Sequence, residues 1–234
     1  ILDHTISNND KLKFVTYAGD RANYQSFAAK TISGYNRDFG GMDARWIHEG
    51  LFVEKPFNLT LGMNYDRAKD NRYRYGAVAV NGKLPSGASK TRDEINYAFN
   101  FDQYAQMQLD VTNDWIVHAG LRHSRVVFEN TDKKAHAYDS IRNFEKTTPV
   151  AGIIYKVNPI LNLYANAGRG FETPTFIETE YADTLATAPN TTIQASTSKN
   201  YEVGAKAFLT NDTLMNLAIF KTITTKEIIM STYA

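Results

Sequence analysis

Polar and apolar residues alternate one-in-two over much of this chain. From Phe57 to Asp66, the residues Phe57, Leu59, Leu61, Met63 and Tyr65 fall on one side, and Asn58, Thr60, Gly62, Asn64 and Asp66 on the other. Successive side chains of a strand point to opposite faces, so the segment predicts a strand with one apolar and one polar face. Tyr104 to His123 predicts two more, joined by a tight Asn113-Asp114 turn. Ala105, Met107, Leu109 and Val111 oppose Tyr104, Gln106, Gln108 and Asp110. After the turn Trp115, Val117, Ala119 and Leu121 oppose Ile116, His118, Gly120 and Arg122. Leu161-Leu163-Ala165-Ala167 and Tyr201-Val203-Ala205-Ala207-Leu209 repeat the theme. The phase fails at His123 and Arg125, which reads as the strand leaving the apolar zone, with a bulge as the alternative. It is ambiguous at Lys221, and alternation is poor over Lys11 to Ala18 and Ala22 to Ile32.

Two kinds of connection punctuate the strands. Short turns are predicted at Gly19-Asp20, Lys55-Pro56, Asn113-Asp114, Asn158-Pro159 and Asn211-Asp212. Longer polar segments run over Ser33 to Met42, Lys69 to Thr91, Asn130 to Arg142 and Phe171 to Ser198. Tight turns at one rim and long loops at the other are the asymmetry of a transmembrane barrel, and the turn rules give about ten strands. Helical periodicity, low-complexity tracts and linkers are not found, so residues 1–234 read as one all-β, antiparallel domain.

Composition narrows the choice. No apolar run nears the roughly 18 residues of a membrane-spanning helix. A barrel needs none, since only its outward face meets lipid, and the roughly 9–11 residues that cross a bilayer as a tilted strand match Phe57 to Asp66. An Arg or Lys at mid-bilayer on the lipid face costs about 2–4 kcal/mol, which turns Arg122, Glu202 and Lys206 toward the lumen. A soluble β-sandwich or propeller also alternates and is the competing reading. The 14 Tyr and 13 Phe suit interfacial belts. A formal charge of +1 does not point to a nucleic-acid partner. The lack of Cys removes disulfides and thiolate chemistry. Ile1-Leu2-Asp3 has neither the charged start nor the apolar core of a signal peptide, so an exported protein would be present here as a mature or truncated chain.

Three motifs, in order, carry a family resemblance. The first is the Tyr104 to Arg122 hairpin, an Ala-Gln strand and a turn to Trp leading to Gly-Leu-Arg. The second runs from Thr148-Pro149 through Gly152, Tyr155 and Leu163-Tyr164-Ala165 to Gly168-Arg169-Gly170-Phe171-Glu172-Thr173-Pro174-Thr175. The third is Thr197 to Lys206, followed by Leu217-Ala218-Ile219-Phe220. Over roughly Ile95 to Ile229 the chain resembles the barrel of TonB-dependent outer-membrane receptors, particularly the ferric-siderophore branch. That resemblance implies a barrel of about 22 strands, of which about half are recognised. It also implies a plug domain with a TonB-contacting segment, and neither is recognised here, so the chain reads as a piece of something longer. The implied function is import across the bacterial outer membrane rather than catalysis. The implied partners are outer-membrane lipid, a ferric siderophore as transported ligand, and the TonB energy-transducing complex acting through the missing plug, with no cofactor. A passive porin, an adhesin or enzyme barrel, and receptors for haem, cobalamin or copper chelates are the alternatives.

The candidate ligand contacts are Arg72, Tyr73, Arg74 and Tyr75, taken as part of an extracellular loop: guanidinium groups supply charge and planar donors, and Tyr supplies a face and a hydroxyl. A solvated continuation of the strand is the plainer account of them. Arg169 and Phe171 open a later loop. Arg122, Glu202 and Lys206 are lumenal charges, best read as a lining that pairs with neighbouring strands. No catalytic or metal-binding set emerges. His118 and His123 fall on opposite strand faces, while His4, His48 and His136 lie in separate segments. His136 sits in a predicted loop, which leaves haem open as a ligand.

Overall fold

The computed structural model describes residues 1–27, 31–76, 86–134, 139–175, 178–179, 192–210 and 212–227. Their backbone forms a single ten-stranded antiparallel sheet in which every strand neighbours the next in sequence. The strands are β1 (Leu2–Thr5), β2 (Asp10–Phe27), β3 (Thr31–Phe52), β4 (Lys55–Tyr75), β5 (Lys90–Asp110), β6 (Trp115–Asp132), β7 (Ser140–Lys156), β8 (Leu161–Glu172), β9 (Ser196–Thr210) and β10 (Thr213–Thr225). The sheet is open, with β1 and β10 as its edges.

Register carries the expected alternation from strand to strand. Leu61 lies opposite Trp46 and Ala105, Ala105 opposite Leu121, and Leu121 opposite Pro149. Farther along, Ile153, Ala165, Val203 and Ile219 form one such row. The opposite face carries Asn58, Gln108 and His118, then Asn166 and Glu202. What distinguishes this sheet from a sandwich is that, among the described residues, no second layer covers the apolar face. Among the described residues the buried hydrophobics are Ile32, Val127, Phe144 and Ala207, while Leu121 is 51% and Val203 55% exposed. A water-soluble fold buries such a face against a second layer. An unlayered apolar face on a polar-lined sheet belongs in lipid. Aromatic residues bound the apolar band. Trp115 stacks on Tyr155 at 4.4 Å between centroids at one border, and Tyr65 lies opposite Phe101 at the other.

The short turns lie at one rim, and side chains fix several of them. Thr112 Oγ1 accepts from the amides of Asp114 and Trp115 at 3.2 and 3.1 Å, and Asn158 Oδ1 accepts from those of Ile160 and Leu161 at 2.9 Å. Both are side-chain mimics of a backbone turn. At the turn before β2, His48 Nδ1 lies 2.9 Å from the Asp10 carboxylate, and Ser7 Oγ donates to it at 2.7 Å. These contacts, His48 first, hold Asp10 below the usual carboxylate range.

The β3–β4 turn is one residue pair earlier than the sequence reading placed it. Val53 and Glu54 are its central residues, at φ 49° and 60°, while Pro56 is already paired with Leu51. Positive φ costs an L-residue about 1–2 kcal/mol, and two-residue hairpins of this kind favour Asn-Gly. Val53→Asn with Glu54→Gly is therefore expected to stabilise the folded barrel by about 1 kcal/mol, read as a raised urea midpoint in lipid or detergent. An unchanged or lowered midpoint would contradict this.

The other departures lie toward the opposite rim. Gly19-Asp20 is not a turn: both residues pair within β2, with Phe39 and Asp38. A Cβ at Gly19 would stand 2.7 Å from Phe39 Cζ, so the glycine makes room for a ring across the strands. Ser33 to Met42 is not a loop but the first half of β3, continuously paired on both sides. The expected strands at Lys11 to Ala18 and Ala22 to Ile32 are thus largely one strand, β2. Strands β3, β4 and β5 run for 22, 21 and 21 residues, about twice what a bilayer requires. Their far halves form a polar extension of the wall. His123 and Arg125 belong to that extension. The β5–β6 register passes through them without a shift, and they engage Thr147 at 3.0 Å and Glu145 at 3.2 Å.

Candidate ligand site in the upper lumen

The polar face is organised in tiers from the turn rim outward. Glycine lets tyrosine rings lie flat against the wall in the lowest tier. A Cβ at Gly62 would overlap the Tyr104 ring directly across the strands, and one at Gly204 would stand 2.5 Å from Tyr164 Cζ. Held flat, the hydroxyls reach carboxylates. Tyr104 donates to Asp43 at 3.3 Å, Tyr164 to Glu202 at 2.7 Å, and Tyr17 to Asp66. Arg45 clamps Asp43 with Nε at 2.7 Å, Arg122 pairs with the buried Asp102, and Asn100 donates to Asp102 at 2.8 Å. Lys206 lies 5.9 Å from the centroid of the Tyr164 ring. The three charges predicted to be lumenal, Arg122, Glu202 and Lys206, all face this side, and each is engaged with a neighbouring group of the wall.

Above this tier the wall changes character. Phe39, Ala68, Ala98 and Phe128 form one inward row across β3 to β6. The small alanines leave a concavity of about 490 Å³, bordered by Phe39 and Phe128, with Tyr17 and Asp66 below and Arg21 and Arg37 above. Arg37 reaches Asp70 through two parallel hydrogen bonds of 2.7 Å, from Nε and Nη2. The same guanidinium lies 5.2 Å from the centroid of the Tyr35 ring. The Asp70 carboxylate raises the Arg37 pKa above its ordinary value. Beyond it, Arg92 pairs with the buried Glu94 at 2.8 Å, and Asn130 donates to Glu94 and Asn96 at 3.1 and 2.8 Å. Arg142 donates to the carbonyl of Ile193 at 2.7 Å, tying β7 to the segment before β9. Among the described residues, inward Arg21, Arg37, Arg72, Arg74, Arg92 and Arg142 face Asp70, Glu94 and Asp132, so these side chains of the tier are net positive. Planar donors over an aromatic floor suit an anionic ligand with flat groups.

The predicted quartet is divided by the fold. Arg72 to Tyr75 are the last residues of β4, not a loop. Arg72 and Arg74 point inward, opposite Glu94 and Arg92. Tyr73 and Tyr75 point outward, their rings 5.8 Å apart, with Tyr73 lying over Gly34. The arginines thus join the upper lumen and the tyrosines do not. Arg169 and Phe171 are outward residues of β8 rather than loop openers. His118 and His123 fall on opposite faces as expected, and His136 lies outside the described residues. Among the described residues no three His, Cys, Asp or Glu side chains converge as metal ligands. Arg37, Phe39 and Asp70 were not singled out because their segments read as loops, Arg21 because it follows a predicted turn, and Tyr17 because its strand alternates poorly. The inward period-2 spacing of Arg37 with Phe39 and of Asp70 with Arg72 was the available signal.

This geometry coincides with a known family. Residues 1–233 match the family described as TonB dependent receptor-like, beta-barrel. The chain belongs to that family, an outer-membrane family of bacteria. Its fold is shared with the ferric citrate transporter FecA (TM-score 0.74, 17% identity, covering 94% of this chain and 33% of that one). The siderophore receptor PiuA from Acinetobacter baumannii is similar (TM-score 0.74, 14% identity, 93% and 38%). So is the ferric-catecholate import receptor Fiu from E. coli K12 in its open form (TM-score 0.70, 13% identity, 96% and 40%). The chain spans about a third of the length of FecA and well under half of the other two.

Proposed function

We propose that this chain forms part of the barrel wall of a receptor that takes up a ferric siderophore across the bacterial outer membrane, driven by the TonB complex. The carrying observation is the net-positive, aromatic-floored upper lumen on a family barrel. Similar folds bear names such as ferric citrate transporter and ferric-catecholate import receptor, which supports a ferric chelate as cargo. Arg21 and Arg37, with Arg72 and Arg74 above them, would meet the anionic chelate, while Phe39 and Phe128 present faces to its flat groups. The lower tier would remain a satisfied wall facing the TonB-engaged part of the receptor. Cargo passes unchanged, so the role is binding and translocation rather than catalysis, and no resident cofactor is assigned.

Uptake of radiolabelled iron by iron-starved cells carrying the full-length receptor tests this reading. Accumulation from one class of ferric siderophore, lost when TonB is inactivated, is the expected result. Uptake that ignores TonB would instead identify a passive pore, and uptake of haem or cobalamin alone would replace the cargo.

A further inference from the structure

The concavity of the upper lumen is polarised along the strands. One inward row below its Phe39–Phe128 floor stand Tyr17, Gly41, Asp66 and Asn100, side by side across β2 to β5. One row above it stand Arg21, Arg37 and Asp70. Arg21 lies directly opposite Arg37, and Asp70 is committed to Arg37, so positive charge is in excess at the upper edge. The lower edge carries the opposite sign. Asp43, Asp70 and Asp102 are each taken by an arginine, Arg45, Arg37 and Arg122 respectively. Among the described residues no such ion pair holds Asp66. Its Oδ1 accepts the Tyr17 hydroxyl. Its Oδ2 is left with the Asn100 amide at 3.5 Å, and that amide sits closer to Asp102, at 2.8 Å. Backbone geometry keeps the carboxylate in place. Gly41 is its direct cross-strand neighbour, and a Cβ there would overlap Asp66 Oδ1 and stand 2.7 Å from the Tyr17 hydroxyl oxygen. Asp66 and Tyr17 thus rest on bare backbone at the border of the concavity.

From this we infer that Asp66, oriented by Tyr17, is a specificity-determining residue that receives a protonated amine of the cargo. A half-buried carboxylate without a cation gains most from a charge-assisted N–H donor. The inference rests on the ferric-siderophore reading and narrows it to a zwitterionic chelate. Its anionic iron-binding groups lie at Arg21 and Arg37, its flat part over Phe39 and Phe128, and an ammonium-bearing arm at Asp66. The two poles are separated along β4 by the run from Asp66 to Asp70, about 14 Å of extended strand. An extended siderophore arm covers that span and a small anion does not. A purely anionic chelate would set like charge against Asp66, so the same residue discriminates against it.

The test uses the full-length receptor in detergent and synthetic ferric chelates. A tris-catecholate and a tris-hydroxamate are each built on lysine linkers, with the linker amines either free or acetylated, and Kd is read from quenching of intrinsic fluorescence. The parent receptor is expected to bind the free-amine form of the chelate it accepts about tenfold more tightly than the acetylated form. Asp66→Asn keeps the shape of the side chain and an acceptor for Tyr17, and should bring the two forms to within about twofold of each other, since no charge remains to favour the ammonium. Arg21→Gln should weaken both forms and leave their ratio as in the parent. Equal affinities in the parent, as a cation from another part of the receptor seated on Asp66 would produce, overturn the inference without recourse to any variant. A preference that survives Asp66→Asn overturns it too, as does failure of all the chelates to bind. In that last case, TonB-dependent uptake of some other ferric siderophore would leave the cargo reading standing without this subsite, whereas uptake of none would end both.

Discussion

Leu61→Arg is expected to reduce folded receptor in the outer membrane nearly to nothing, while Gln106→Arg leaves it close to the parental level. Both positions lie in the middle of the apolar band, on neighbouring strands, and differ in direction. Leu61 points outward between Trp46 and Ala105. Gln106 points inward between Thr60 and Gly120 and is exposed on the lumenal side. An arginine at mid-bilayer on the lipid face costs about 2–4 kcal/mol, a large share of the roughly 5–15 kcal/mol that holds a typical domain folded. The same side chain in the lumen stays solvated. Membrane fractionation with heat-modifiable gel migration gives the readout. Loss of Gln106→Arg with retention of Leu61→Arg would mean that the faces are assigned the wrong way round, and equal accumulation would contradict the difference in lipid exposure between them.

Arg37→Asp carries the second large effect, on binding. It removes one of the cations nearest the aromatic floor and sets two carboxylates opposite each other, since Arg37 and Asp70 are direct cross-strand partners. Hydrogen bonds to charged groups contribute about 1.5–3 kcal/mol. Because 39% of the Arg37 side chain is exposed, solvent screens the pair, and a stability loss of about 1–2 kcal/mol is expected. Affinity for the proposed ferric chelate is expected to fall about tenfold or more, each tenfold step being about 1.4 kcal/mol. Arg37→Asp combined with Asp70→Arg restores the pair on the same two strands, so stability should return and affinity should recover to within several-fold. A single variant with unchanged chelate affinity would show that the pair only braces the wall.

Much of the wall was legible before any coordinates, and the reason is local. Where one face is apolar and the other polar, as from Phe57 to Asp66, alternation fixes both the strand and its direction. Turns carried by Thr112 and Asn158 announced themselves through residues whose side chains mimic a turn. Legibility failed where both faces are polar. The far halves of β2 and β3 project beyond the bilayer, so the contrast between faces disappears, and Gly19 resembled punctuation. Its actual use, admitting the Phe39 ring, depends on a strand about twenty residues away in sequence. The ligand site suffered for the same reason. Arg72 and Arg74 stood out as candidates because they cluster in sequence, but Arg21, Arg37, Phe39 and Asp70 meet only through cross-strand register. The plainer account of Arg72 to Tyr75, a continuation of the strand, matches their place at the end of β4, whereas taking all four as ligand contacts did not separate inward arginines from outward tyrosines.

The account stands most directly on which side of the wall receives the cargo, and thiol labelling can decide it. The chain contains no cysteine, so introduced thiols in this segment report only their own positions. Ala98→Cys lies inward, between Ala68 and Phe128. Ala119→Cys lies outward, between Met107 and Ala151. In whole receptor in membranes, the Ala98→Cys thiol should react with a charged, membrane-impermeant maleimide and be protected by the ferric siderophore that supports uptake. The Ala119→Cys thiol should react only with a lipid-soluble reagent and ignore the siderophore. The reverse pattern, or full labelling of Ala98→Cys with saturating siderophore present, would contradict the placement of the site in the upper lumen.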